Sequence, residues 1–156
     1  MSLFLRALLA FLALPGTVAF LVPYLLLDPA DRFSNELGLI LLLPGLAGLL
    51  WCVWSFYTEG RGTLAPWSPP RHLVVRGLYR YSRNPMYVSV ALILWGWAAA
   101  FHSTALVTYA LAVMLVFHLR VVLGEEPWLA RTHGDAWDRY KTAVPRWLGK
   151  SKGVSK

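Results

Sequence analysis

The sequence predicts an all-α integral membrane protein, with about four transmembrane helices, a C-terminal interfacial helix and both termini cytoplasmic. Three observations predict it. Hydrophobic residues make up 57% of the 156-residue chain and charged residues only 15%, against roughly 25% charged in soluble domains. Four apolar runs, 3–27, 37–57, 85–101 and 105–123, are separated by polar segments, and about 20 apolar residues cross a bilayer. Positive charge is also one-sided: twelve of the 15 Lys and Arg residues lie in 58–84 and 124–156, with Arg120 just ahead of the latter.

The first run, 3–27, is interrupted only by Arg6. It continues past the length of a signal-peptide core and closes on no clear cleavage site. Pro15, Gly16 and Pro23 predict kinks, which membrane helices tolerate when neighbouring helices satisfy the freed backbone. A turn follows at 28–36, carrying Asp28, Asp31, Arg32 and Glu36. After the second run comes the long connection 58–84, rich in proline and glycine, with Arg61, Arg71, Arg76, Arg80 and Arg83 against Glu59 alone. Asn84 is a favoured N-cap and Pro85 suits the first helical position, so a helix should start there. The turn 102–104 has no full charge and leads into the fourth run.

In 125–144, Leu129, His133, Trp137, Tyr140 and Val144 fall on one helical face. That pattern suits an interfacial helix with aromatic rings at headgroup level, and Gly134 is placed to split it. Residues 1–149 read as one domain and 150–156 as a basic tail. With four spans, the two basic segments share a side, and basic residues favour the cytoplasm. The net charge of +7 is thereby explained by the membrane surface and its anionic lipid rather than by nucleic acid. Cys52, the only cysteine, has no disulfide partner and no metal-ligand spacing around it.

Polar chemistry concentrates in two segments, GLYRYSRNPMY at 77–87 and GEEPWLARTHGDAWDRYKTAVPRW at 124–147. Charged residues beside membrane spans are costly unless paired or facing a polar cavity. Glu125 and Glu126 follow His118 and Arg120. If Pro127 opens a new helical turn, the carboxylates sit at a helix N-terminus, where negative charge is favoured. They then either pair with Arg120 or Arg131 or hold the ammonium group of a ligand. Arg80 and Arg83, three apart, share a face if helical, and suit either lipid headgroups or the forked binding of a carboxylate or phosphate. Gly77 and Tyr79 read as a turn or a close approach to a ligand, His118 as a core or catalytic histidine, and Arg146 as an anchor or a clamp. No Gly-rich phosphate loop, HExxH pair, Rossmann fingerprint or nucleophile triad occurs, and no metal site is expected.

Together, R-x-L-V-x-x-G-x-Y-x-x-x-R-N-P-x-Y and E-E-P-x-L-x-x-x-x-G-x-x-W-x-x-Y-x-x-x-V-P-R-W resemble the isoprenylcysteine carboxyl methyltransferases and their bacterial relatives, a group related to the phospholipid N-methyltransferases. The resemblance covers 71–147, about half the chain. It implies an integral membrane enzyme of the inner, cytoplasmic membrane, using S-adenosylmethionine and facing the cytoplasm. It places Gly77, Tyr79, Arg83, Asn84, Tyr87, His118, Glu125 and Glu126 around the cofactor, with one glutamate of the 125–126 pair on the methionine ammonium. It implies catalytic roles for His118, Glu126 and Arg83, and acceptor contacts for Arg146 and Tyr140. Asn84 stands where many relatives have histidine, which removes a titratable group, and Trp137 stands where tyrosine is common. The chain also has fewer spans ahead of the motifs than the eukaryotic prenylcysteine enzymes. A lipophilic acceptor methylated on a carboxyl or other oxygen is the leading expectation. The alternatives are a phospholipid or other amine, a sterol-reductase-like enzyme using NADPH, and a non-enzymatic membrane factor.

Overall fold

The computed structural model describes residues 12–28, 31–58 and 75–149. Every regular element among them is helical. A π-wound stretch, Leu12–Leu21, continues into an α-helical turn, Val22–Leu25, and the two together form α1. Next come α2, Leu37–Thr58, a 3-10 turn, Gly77–Arg80, and α3, Pro85–Phe101. Then α4, Thr104–Arg120, passes through a π-helical turn, Val121–Glu125, into α5, Glu126–His133, and α6, Asp135–Ala143, follows.

The central helix is α3, which packs against α1, α2 and α4. Its largest interface is with α2, and small residues explain how close the two lie. A Cβ on Gly38 would come within 2.4 Å of the Ala100 Cβ, one on Gly45 within 2.8 Å of the Ser89 carbonyl, and one on Gly96 within 2.9 Å of the Gly38 carbonyl. Pairing Gly38 with Ala100 and Gly48 with Ser89 makes the helices antiparallel. Apolar bilayer tails offer little drive for helix association, so such backbone proximity is a main source of attraction. Ala19, Leu49, Val90, Ile93, Leu94 and Ala110 form the core. Leu39, Ile40, Leu43, Leu111, Leu115 and Leu119 remain exposed on α2 and α4.

Proline explains how α1 is held. Pro23 has no N–H, which leaves the Ala19 carbonyl without its α-helical donor and the Val18 carbonyl without its π-helical one. Trp97 Nε1 donates to the Ala19 carbonyl at 3.1 Å, and the Tyr109 hydroxyl donates to that of Val18 at 3.0 Å. Neighbouring helices supply both missing donors, as the sequence reading required.

Two of the described helices are long and apolar enough to cross a membrane, Leu37–Ser55 and Thr104–His133; Pro15–Leu25 and Pro85–Phe101 are shorter. This is fewer than the four spans expected. Part of 3–27 lies outside the described residues. The helix of 85–101 has its expected limits, and its 17 residues reach about 25 Å at 1.5 Å each, short of the roughly 30 Å hydrocarbon core. At the other end of the bundle, the Ser34 amide donates to the Ala100 carbonyl at 2.9 Å and the Ser34 hydroxyl meets His102 Nδ1 at 2.7 Å. His102 ends α3 in the left-handed region, at φ 49°.

The fourth helix does not stop at Leu123. It runs on without a break to His133, so Glu125 and Glu126 do not occupy a free helix N-terminus. Pro127 would clash with the carbonyl four residues earlier in a regular helix; the backbone widens into the π turn just before it. Gly134, at φ +47°, does split the C-terminal helix. The expected apolar stripe faces protein: Trp137, Tyr140 and Val144 are buried, packed with Val75 and Leu129.

Candidate functional site

The two polar segments meet at one end of the bundle. Residues 82–84 lead from the 3-10 turn into α3, and 144–147 form a strap after α6. Backbone groups join them: the Arg83 amide donates to the Pro145 carbonyl at 2.9 Å. Asn84 Nδ2 donates to the Arg146 carbonyl at 3.0 Å, with the Ser82 hydroxyl 3.4 Å from the same oxygen. Asn84 therefore precedes α3 but makes no side-chain cap. Its amide proton goes instead to the Ser82 hydroxyl oxygen, 3.1 Å away.

The strap and the loop converge on Glu126. Its Oε1 lies 2.9 Å from Arg83 Nη1 and 2.7 Å from Arg146 Nε, and its Oε2 accepts from Arg146 Nη2 at 2.8 Å. Arg146 thus grips the carboxylate in a fork, the strongest geometry open to such a pair. The Arg83 side chain is only 8% exposed and that of Glu126 12%. The Arg83 guanidinium lies 5.4 Å from the centre of the Trp137 ring, within cation–π range.

Glu125 belongs to a second cluster on the same π turn. Its Oε1 accepts from the Tyr87 hydroxyl and from Arg120 Nε, the latter at 2.8 Å. Arg120 Nε also reaches the Tyr87 hydroxyl oxygen at 3.1 Å. The Tyr87 ring packs on Phe117, with centroids 4.4 Å apart. The Glu125 side chain is 33% exposed.

Electrostatics differ between the clusters. Glu126 with Arg83 and Arg146 carries a net charge of about +1, whereas Glu125 with Arg120 is neutral. Burial alone would raise the pKa of Glu126, but the Arg146 hydrogen bonds and the charges of Arg83, Arg146 and Lys141 outweigh it, so its pKa is lowered. Burial lowers the Arg83 pKa, with Glu126 opposing, while the Glu126 hydrogen bond raises that of Arg146. Arg83 Nε and Nη1 make no hydrogen bond among the described residues; Nη1 has ion-pair distance to Glu126 without hydrogen-bond alignment. A buried donor without an acceptor is costly.

Of the residues singled out in the sequence, Arg83, Asn84, Tyr87, Glu125, Glu126 and Arg146 are brought together. His118 is exposed nearby on α4, its ring 6.1 Å from that of Trp147. Tyr79 and Tyr140 have buried side chains. The Tyr140 hydroxyl donates to the Tyr79 carbonyl at 2.7 Å, fixing α6 to the 3-10 turn. Tyr79 packs with Cys52, Trp51 and Met86; burial first, then its Cys52 neighbour, pushes its hydroxyl pKa well above the ordinary value. Gly77 faces Trp51: at φ +54°, a Cβ there would lie 1.9 Å from the indole ring. Arg80 is exposed at the end of its turn, while Arg83 is buried in the cluster, so the two do not act as a pair. Arg61 and Arg71 lie outside the described residues.

Sequence reasoning missed Ser82, Trp51 and Phe117. Ser82 had a local signal, since a serine two residues before the Asn84 amide can close a turn. Trp51 and Phe117 had none, because their partners lie far along the chain. No cluster of His, Cys, Asp or Glu suited to a metal occurs among the described residues.

A small helical bundle with a paired, charged site at one end defines a membrane-associated helical enzyme whose polar site is assembled from helix ends. The family model for phospholipid methyltransferases matches residues 33–136, about two-thirds of the chain, and the chain belongs to that family. It is an S-adenosylmethionine-dependent membrane methyltransferase. No curated protein and no solved structure matches it. Membership sets aside the NADPH reductase and the non-enzymatic factor. It fits a phospholipid amine as acceptor as well as a carboxyl group. The donor set suits the cofactor's zwitterionic end: the buried Arg83 Nε has no acceptor among the described residues, and the hydrogen bonds to Glu125 engage Oε1 alone, leaving Oε2 for a cation.

Proposed function

We propose that this enzyme methylates a lipid-borne amine at the cytoplasmic face of the inner membrane, with four spans, both termini cytoplasmic, and one domain over 1–149. The observation carrying this reading is the convergence of Arg83, Glu125, Glu126 and Arg146, from three separate segments, at one end of the bundle. The same end gathers residues 75–84 and the C-terminal strap, while the opposite end holds Ser34, Asn35 and His102. That grouping is what four crossings with basic residues inside require. The family match supports a phospholipid acceptor.

In this reading Arg83, Asn84, Tyr87, His118, Glu125 and Glu126 border the cofactor. Gly77 and Tyr79 shape that wall from behind, through Trp51 and the Tyr140 hydrogen bond. S-adenosylmethionine, when bound, supplies a methyl group already activated on a sulfonium sulfur. The chain must therefore hold that end of the ligand, align the acceptor and limit water; alignment alone can supply much of an acceleration. An ammonium acceptor must first lose a proton. In this reading His118, exposed beside Trp147, takes it as general base.

A methyl ester product is the second reading. Arg146 favours it, since a third of its side chain stays exposed and could hold an acceptor carboxylate against the site. The test is methyl transfer from radiolabelled cofactor to lipid extract by the detergent-purified enzyme. A base-stable labelled lipid amine is expected. Label released as methanol by mild base would instead identify an ester and overturn the amine.

A further inference from the structure

We infer that the outer face of the 3-10 turn, made by Arg76, Leu78, Arg80 and Tyr81, is a docking surface for the phosphate of an anionic membrane phospholipid. The inference rests on the membrane placement proposed above and is independent of the methyl acceptor.

The turn has two faces. Gly77 lies against Trp51, and Tyr79 is buried with Cys52. Arg76, Leu78, Arg80 and Tyr81 are exposed, Tyr81 to 64%. The stretch 76–84, RGLYRYSRN, contains no acidic residue. Arg76 and Arg80 join none of the ion pairs among the described residues, which take Arg83, Arg120 and Arg146 instead. Exposed Arg139 differs, because Asp135 stands four residues before it on α6, a spacing at which opposite charges offset each other. The basic face is also held in shape. The Ser82 amide donates to the Leu78 carbonyl at 3.2 Å, and the Tyr140 hydroxyl donates to the Tyr79 carbonyl at 2.7 Å. A surface ordered in advance loses little entropy when a ligand docks.

Depth decides the partner. Leu78 reaches down α2 to Gly48, where a Cβ would lie 3.9 Å from Leu78 Cδ1. The apolar stretch of α2 runs on to Ser55, about 5 Å beyond Cys52 at 1.5 Å per residue. The turn therefore packs against the last apolar turns of a span, at headgroup level rather than in open water. A charge at that level is costly without a partner, and no carboxylate among the described residues supplies one to Arg76 or Arg80. Lipid phosphate is the anion at that depth. The guanidinium fork matches its oxygens, and the apolar stems of the arginines can cover hydrocarbon while their heads stay with the phosphate. Tyr81 suits the same level, and Leu78 between the arginines meets the acyl region. An anionic headgroup is favoured over a zwitterionic one, since two arginines with no acid beside them repel a headgroup cation.

The probes are dioctanoyl phosphatidylglycerol, dioctanoyl phosphatidylcholine and inorganic phosphate. Each is titrated into the full-length protein in neutral detergent while the melting temperature is followed. Phosphatidylglycerol has no amine, so it does not report binding of the proposed acceptor. It should raise the wild-type melting temperature saturably, with the other two probes much weaker. The double variant Arg76→Gln, Arg80→Gln should weaken the phosphatidylglycerol response at least tenfold, about the worth of one charge-assisted hydrogen bond. The double variant Arg131→Gln, Arg139→Gln removes the same charge from α5 and α6 and should respond as wild type. Equal weakening in both double variants would reduce the effect to net charge and overturn the surface. An equal wild-type response to phosphatidylcholine or to inorganic phosphate would overturn it as well. Arg76→Gln and Arg80→Gln alone should each lose part of the response, and these exposed positions decide the question if the double variant does not fold. Protein that stays in solution without detergent would instead overturn the membrane placement itself.

Discussion

At Gly77, one residue combines two constraints. Its φ of +54° suits glycine, and any Cβ would enter the Trp51 ring. Gly77→Ala should therefore cost roughly 2–4 kcal/mol, from left-handed strain and overpacking together. A melting temperature equal to wild type would show that the turn relaxes freely. Truncating Trp51 as well should recover only the overpacking part. At Glu126 the prediction concerns pH. Its pKa is lowered in the folded protein, so its stabilisation is fully present above the ordinary carboxylate value and is lost as pH falls through the lowered one. The melting-temperature gap between wild type and Glu126→Gln should stay constant near neutrality and close in acid. A gap that persists unchanged in acid would mean that ionisation of this carboxylate does not stabilise the fold.

At the scale of elements, the helices are joined by backbone proximity and by hydrogen bonds across apolar surroundings. Gly45 lies against the Ser89 carbonyl and the Ile93 amide, so Gly45→Leu should force α2 from α3 and abolish a monodisperse, cooperatively melting sample. An unchanged melt would refute the tight α2–α3 interface. Trp97 and Tyr109 each serve one carbonyl of α1. Tyr109→Phe leaves the Val18 carbonyl without its donor, at a cost of about 1–3 kcal/mol, and hydrogen exchange should rise in α1 first. Uniform exchange across the bundle would place the effect elsewhere. The π turn before Pro127 is the other element-level device. It keeps α4 and α5 continuous while placing Glu125 and Glu126 in two different clusters.

For the whole molecule, the site depends on segments from the middle of the chain and from near its C-terminal end. Arg83 and Asn84 are held by 145–146, more than 60 residues away. A chain ending at Ala143 keeps all the helices and loses the strap. It should insert into membranes normally but bind S-adenosylhomocysteine at least tenfold more weakly, because Glu126 loses its forked partner and Arg83 its backbone anchor. Wild-type affinity in that truncation would show that the strap does not organise the site.

Much of this was legible in the chain itself. Apolar runs separated by polar turns determined an all-helical protein and placed α2 and α3 closely, because hydropathy and capping act over a few residues. The two polar segments singled out by the motifs do meet, and six of the residues named in them or beside them come together, since charges beside apolar runs need partners. The proline in α1 even announced that its neighbours must supply donors. What only the tertiary structure decided was pairing. No local rule says that Glu126 is taken by two arginines while Glu125 keeps an oxygen open, that Gly77 serves Trp51, or that Tyr140 bonds the Tyr79 carbonyl. Nor does sequence show that α4 winds past Pro127 without stopping. Those outcomes depend on which side chains arrive at one place from distant segments, and geometry and charge balance in the packed bundle settle them.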